Sequence, residues 1–416
     1  MASTAKPSTP EQTSKLMKNN HKFWFIVCAA GCLSAGSALP FNLGPVIFGS
    51  AADQFGFSPE NIGYFSSLFL LGFSSSIIGT FFLQTRVNWH YVMVLGSILG
   101  GVFIWLTSLT GNATHWNILW LLIGLSFGPV YSIVVPVLAK LPNAARGFGG
   151  KLALETGIPA VMLLLFPIFV VVKWGYSGVA VGSLVVLVIL AMTAKWIPRE
   201  LAKAEPVPTI ATGVKGGLDR NRVVLTWIGI LTVCVYFGGQ ISTWIFVERS
   251  ARTLEYGNEA IGLLLFLGKS GAMVGALVAA AVASSLGRWK PHLISFICIV
   301  VGQLLLYTHP SYFLFMSGAF LFEFAWCFLV PYLMTHVGEL DQTKKLIVFV
   351  PAAQALGGAY GPALAGNIVT ETDYSNVFLF GIITATICFA VYSWLTHKLN
   401  AMHVPEDPVV VTGEQL

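Results

Sequence analysis

"LLFLGKSGAMVG", residues 264–275, places a single lysine, Lys269, in a run that is otherwise apolar or small. Its pattern is met once before, in "LFLLGFSSSIIG", residues 68–79. There Gly72, Ser74 and Gly79 stand where Gly268, Ser270 and Gly275 stand in the later copy. Small residues at this spacing let membrane helices approach closely, and paired repeats are a common way of building membrane carriers. Two halves are expected, each with such a helix in second place. At this register Phe73 corresponds to Lys269, so the cation breaks the symmetry between two similar helices.

Composition outside the repeat supports a membrane setting. The chain has 416 residues, 56% of them hydrophobic and 10% charged, with mean hydropathy +0.77; a soluble domain carries about 25% charged residues. A membrane helix needs about 20 apolar residues. Breaks at charges, Asn, Pro and Gly predict spans at 23–50, 60–83, 88–109, 116–138, 147–171 and 177–197. A second set falls at 223–247, 259–286, 291–308, 311–335, 346–369 and 375–397. The longest polar stretch, "PRELAKAEPVPTIATGVKGGLDRNR" at 198–222, reads as a linker. The expected organisation is a polar tail over 1–21, a six-helix bundle over 22–197, the linker, a second six-helix bundle over 223–398 and a tail over 399–416. The fold class is all-α membrane protein, with twelve transmembrane helices in two pseudo-symmetric six-helix bundles around a central cavity.

Basic residues set the orientation. Of the 23 Lys and Arg, 19 fall on the side of the tails and linker; Lys173, Arg249 and Arg252 fall on the other, and Lys269 is the one left within a span. The positive-inside rule then puts both termini in the cytoplasm, in a plasma (inner) membrane. Residues 1–21 lack the apolar core of a signal peptide. Trp89, Trp116, Trp174, Trp196 and Trp289 lie near span ends, where interfacial anchors belong. The six cysteines fall in apolar runs without metal spacing and read as reduced packing residues. The basic residues form no stripe, so nucleic acid is not an expected partner. No GxxxxGK[ST] loop is present, and no span holds a His/Asp/Glu or Ser/His cluster; neither a nucleotide-driven pump nor an enzyme is expected. Cofactors and metals are likewise not expected.

Three local stretches add a family resemblance: "LPNAARGFGG" at 141–150, "ALGGAYGPALAG" at 355–366 and "SSLGRWKP" at 284–291. With six-plus-six spans and a central linker, residues 20–398 resemble the major facilitator superfamily of secondary transporters. The first copy of the family's loop signature is eroded to "LQTRVNWH" at 83–90. Thr85 and Ser284 stand where an acid that helps lock the cytoplasmic gate would fall. "ETGIPAVML" at 155–163 lacks the Gly-Pro motif of drug/proton antiporters. What the resemblance implies is a cavity lined by helices one, four, seven and ten, with helices two, five, eight and eleven joining the halves and helix five beside helix eight. Arg86, Arg146 and Arg288, in the cytoplasmic loops, are its candidate gating residues. The family is usually monomeric.

Glu155, Lys269 and Glu323 are the ionisable residues expected well inside spans. Each costs about 2.5–3.5 kcal/mol to insert. One reading is a structural ion network holding helices in register. The other is substrate and proton handling: Lys269 attracts a carboxylate or similar anion, Glu323 exchanges the coupling proton, and Glu155 pairs with Lys269 across the halves until the solute displaces it. Glu323 in "LFEFAWCF" and Lys269 agree in depth within about 5 Å. Further candidates for contact with a solute are Asn42 in "SALPFNLGP", between Pro40 and Pro45; Tyr236, Gln240 and Trp244, four apart in "YFGGQISTW"; and Tyr131. Trp326 is expected to pack. His90, His115, His292 and His397 read as solvated residues near span ends. The expected function is secondary active, proton-coupled uptake (symport) of a small organic anion or zwitterion by alternating access. An exporter or antiporter of amphipathic compounds is the alternative.

Overall fold

The computed structural model describes residues 20–83, 87–141, 144–198, 220–309, 311–341 and 346–402. Arg86, most of the 198–222 link and the outer parts of both tails lie outside the described residues. Among those described there are helices and no strands. Among the described residues nine helical runs are long and apolar enough to cross a membrane; one of these, Arg146–Trp196, holds two helices. The first helical region and Val350–Ile368 complete the twelve.

The first span is broken as its prolines require. It runs as Asn20–Ser37, Leu39–Asn42 and Gly44–Phe55, with Ala38 and Leu43 near ψ 0° at the two joints. Each joint lies two residues before a proline, which has no N–H to donate to the helix ladder. Spans two to four are Pro59–Leu83, Trp89–Thr107 and Ala113–Ala139. Span five, Ala144–Leu165, continues through a π-helical turn, Phe166–Val171, into Val172–Ala191, which carries span six. The chain turns at Gly175, φ 55°. A Cβ there would meet the Gln54 side-chain oxygen at 2.8 Å. That oxygen instead accepts hydrogen bonds from the Tyr176 and Ser177 N–H groups, at 2.9 and 3.3 Å, and so caps span six.

Spans seven to twelve are Arg220–Thr253, Asn258–Val282, Lys290–Thr308, Tyr312–Leu340, Val350–Ile368 and Ser375–Met402. Within each half the repeat helix packs on the fourth span of that half: span two on span four, span eight on span ten. Across the halves, span two meets span eleven and span five meets span eight. Ser74 and Ser270 each donate to the carbonyl four residues back, those of Leu70 and Phe266, at 2.6 and 2.8 Å. Large apolar side chains such as Leu95, Ile189, Leu277 and Ile383 stay exposed on the outer surface, where lipid tails would cover them.

Close packing explains two of the repeat's glycines, Gly72 and Gly275. A Cβ on Gly275 would fall 2.1 Å from the Phe324 carbonyl oxygen of span ten. Backbone cannot yield as a flexible side chain does. Gly275→Ala is therefore expected to lower stability by about 1–3 kcal/mol, the ordinary cost of overpacking, measured as thermal unfolding of the purified protein. An unchanged unfolding temperature would mean the two helices are looser than this contact implies.

Candidate functional site

Span eight brings Lys269 against span ten, and the ammonium meets the carboxylate found there: Lys269 Nζ donates to Glu323 Oε2 at 3.3 Å. Both side chains are buried, Glu323 completely. The expectation that Glu155 pairs with Lys269 is corrected here; the partner is Glu323, in the same half. Aromatic faces complete the surroundings of the cation. Nζ lies 4.1 Å from the Trp244 ring centre and 5.7 Å from that of Phe41, within the range of cation–π attraction.

Phe41 comes from the other half. The broken first span presents it, and its carbonyl accepts a hydrogen bond from Trp244 Nε1 at 3.3 Å. Its ring meets Trp326 edge-on at 6.0 Å, while Trp326 stacks on Phe322. The second half thus supplies the charges and two indoles, and the first half supplies one aromatic lid. Two polar atoms here have no partner: Glu323 Oε1 and Trp326 Nε1. A buried pair of this kind often breaks even against hydrophobic replacements. Its chemical capacity is exchange: a proton on Glu323 or an anion on Lys269 dissolves it.

Other candidates fall elsewhere. Glu155 lies midway along span five and pairs with Lys151, one turn back. It also accepts from Tyr131 Oη at 3.2 Å and Ser34 Oγ at 3.1 Å. Lys151 donates to Tyr131 Oη at 3.2 Å and lies over that ring. Lys151 is therefore a buried helix residue and not the loop cation its place in the sequence suggested; the spacing of four from Glu155 was the available signal. Tyr131 also packs on Phe73.

The face of span seven divides among three environments. Trp244 borders the ion pair. Gln240 lies inside the second half, accepting from Gln303 Nε2 at 2.9 Å and donating to the Gly381 carbonyl at 3.3 Å. Tyr236 lines a small internal cavity. Asn42 is buried at the second joint of span one. Of the loop arginines, Arg146 lies over the Trp24 ring and Arg288 binds Glu339 and Asn400, at 2.7 and 3.0 Å. His292 is not solvated: it is buried, stacked on Tyr392.

One cluster escaped the sequence entirely. Span seven runs to Thr253, six residues past its expected end at 247, and carries Glu248, Arg249 and Arg252 inside the helix. Arg249 donates across the halves to the Gly49 carbonyl at 2.9 Å and to Asp53 at 2.7 Å; Arg252 holds the buried Glu248 at 2.8 Å. These groups lie at the far face, opposite the one from which span one starts. The Ala363 N–H to Ser67 Oγ bond, 3.0 Å, also joins the halves towards that face.

Comparison with solved structures places this arrangement. The chain is similar to the nucleoside transporter NupG, at 12% identity and TM-score 0.70 over 91% of this chain and 99% of that one. A bacterial homologue of the drug peptide transporters PepT1 and PepT2 matches at 13%, TM-score 0.68, over 92% and 99%. A bacterial homologue of the lysosomal transporter Spinster, in an inward-facing and unoccupied conformation, matches at 12%, TM-score 0.65, over 91% and 98%. No protein-family model and no curated protein sequence matches. The chain shares its fold with these solved transporters. At these identities the likeness is one of fold.

Proposed function

We propose that the protein is a proton-coupled secondary transporter of a small organic anion or zwitterion, a carboxylate or amino acid, working by alternating access. The observation that carries this reading is the buried Lys269–Glu323 pair, capped by Phe41 of the opposite half. A charge pair in that position is costly to keep for stability alone, and the aromatic lid ties its environment to the relation between the halves. Protonation of Glu323 frees the ammonium. A solute carboxylate then takes the place of Glu323 on Lys269, and its remainder lies against Phe41 and Trp326. With the charges neutralised, the halves rock.

The oriented chain has both termini in the cytoplasm of the plasma (inner) membrane, by the distribution of basic residues, and works as a monomer of two six-helix bundles. The Arg249–Asp53 bridge and the Ser67–Ala363 bond then hold the halves together on the outer side. Opening outward requires Arg249 to leave Asp53. Glu155, Tyr131 and Lys151 form a second polar group on the first half, available to a larger solute.

Proteoliposomes under an imposed proton gradient test the direction. A carboxylate or amino acid that binds the purified protein is expected to accumulate on the side towards which protons flow. Accumulation against that flow would replace uptake by export.

A further inference from the structure

Glu323 has no exposed surface, so a proton leaving it must travel through protein, and the second half contains a succession of buried polar atoms without partners. Glu323 Oε1, Tyr236 Oη, His292 Nε2 and His336 Nε2 all lack a hydrogen-bond partner, and all four side chains are 2% exposed or less. Leaving one such group unsatisfied costs about 1–3 kcal/mol. Among the described residues of the second half nine buried side-chain atoms lack a partner, and these four belong to groups that can carry a proton.

Their order in space sets out a path. Span seven, which carries Tyr236, packs on span ten, which carries Glu323. Tyr236 and His292 line one internal cavity, between apolar walls that include Ile299, Leu329 and Phe389. Its space for water is about 10 Å³, the lower limit for a single molecule. His292 in turn meets His336 edge-on, ring centres 5.6 Å apart. His336 lies thirteen residues beyond Glu323 on the same helix, about 20 Å along the axis. That is the near face, where Arg288 binds the partly exposed Glu339.

The tautomer of His292 is fixed. Its Nδ1 lies 2.9 Å from the Arg288 carbonyl oxygen, which can only accept, so Nδ1 carries the hydrogen. The neutral ring therefore presents a bare Nε2 as a proton acceptor. The titratable and charged groups around it are Arg288 on the preceding turn, Tyr236 from span seven, His336 from span ten, and Tyr392 and Cys388 from span twelve.

We propose that Tyr236, a water in this cavity, His292 and His336 form a proton relay through the second half, connecting Glu323 with the near face beside Glu339. It rests on the reading of Glu323 as the proton-coupling group. In the releasing direction the protonated Glu323 carboxyl, free of Lys269, turns to Tyr236 Oη and passes it a proton while the Tyr236 hydroxyl proton passes to the water. The water gives a proton to His292 Nε2, and the imidazolium discharges through His336 to solvent. One proton leaves, Tyr236 and both imidazoles end neutral, and the Glu323 carboxylate re-forms its pair with Lys269. Protons and solute then need not share one exit.

The test is a pH jump on the purified full-length protein, followed by time-resolved infrared absorption of the protonated carboxyl and assigned by its loss in Glu323→Gln. Tyr236→Phe removes a single oxygen, and His292→Gln keeps a polar group; both are compared with wild type. The Glu323 band is expected to equilibrate at least about tenfold more slowly in each variant, the lower end of what a positioned proton-transfer group contributes. A structural role alone would leave that rate unchanged in whichever variant stays folded. A Glu323 band that equilibrates as fast in both variants as in wild type overturns the relay and leaves the proton site standing. Absence of any Glu323-dependent band over the pH range overturns both.

Discussion

Lys269→Ala abolishes transport, and the loss persists when the fold is restored. The single change leaves Glu323 buried without its cation, and breaking a buried pair in this way costs about 3–5 kcal/mol. Loss of activity in that variant alone would therefore say little. Lys269→Ala combined with Glu323→Gln removes both charges, so no uncompensated buried charge is left to unfold the protein. The double variant is expected to unfold within a few degrees of wild type and still to transport nothing, because the anion has lost its anchor. Measured uptake equal to wild type in the double variant would make the pair a helix-registering device and nothing more.

Glu323→Gln separates binding from coupling. Glutamine keeps the shape, the Lys269 ammonium stays, and the carboxyl can no longer gain or lose a proton. Exchange of labelled for unlabelled solute across a proteoliposome membrane is expected to continue. Concentrative uptake driven by a pH difference is expected to vanish. A difference of about one pH unit is worth about 1.4 kcal/mol per proton and so supports about tenfold accumulation for one coupled proton. The variant is expected to stop at equal concentrations inside and out. Tenfold accumulation in Glu323→Gln would move the coupling proton to another group, and Glu155, with Lys151 and Tyr131 around it, is the next acid to test.

How far the sequence reached follows from what kind of signal each residue gives. Lys269 and Glu323 are charges in apolar surroundings, so their cost alone marked them, and helix rise put them at one depth. Pro40 and Pro45 announced the broken first span. The repeat at 68–79 and 264–275 carried the twofold organisation, and the packing of spans two on four and eight on ten matches it. Glu155 was legible as a buried acid but not in its partner. Lys151 stood close enough to a loop to be counted with the loop cations, though one helical turn joins the two. Phe41 gave no signal, since one aromatic among 30 phenylalanines is indistinguishable until the fold sets it over the ammonium. Span seven's last turns were misjudged for a related reason. Glu248, Arg249 and Arg252 end the apolar run, yet the helix continues because each finds an opposite charge within reach, Asp53 of the other half among them. His292 and His336 lie near span ends, where solvation is the default; only packing against Tyr392 buries them.

The most direct measurement of the central claim is thermal unfolding of the purified protein against a panel of carboxylates and amino acids, on wild type and on Lys269→Ala with Glu323→Gln. A ligand present at a hundred times its Kd stabilises by about 2.7 kcal/mol. At least one member of the panel is expected to raise the unfolding temperature of wild type and to leave the double variant unmoved. A ligand that stabilises both proteins equally binds without the ammonium, and would contradict the assignment of Lys269 as the anchor of the transported solute.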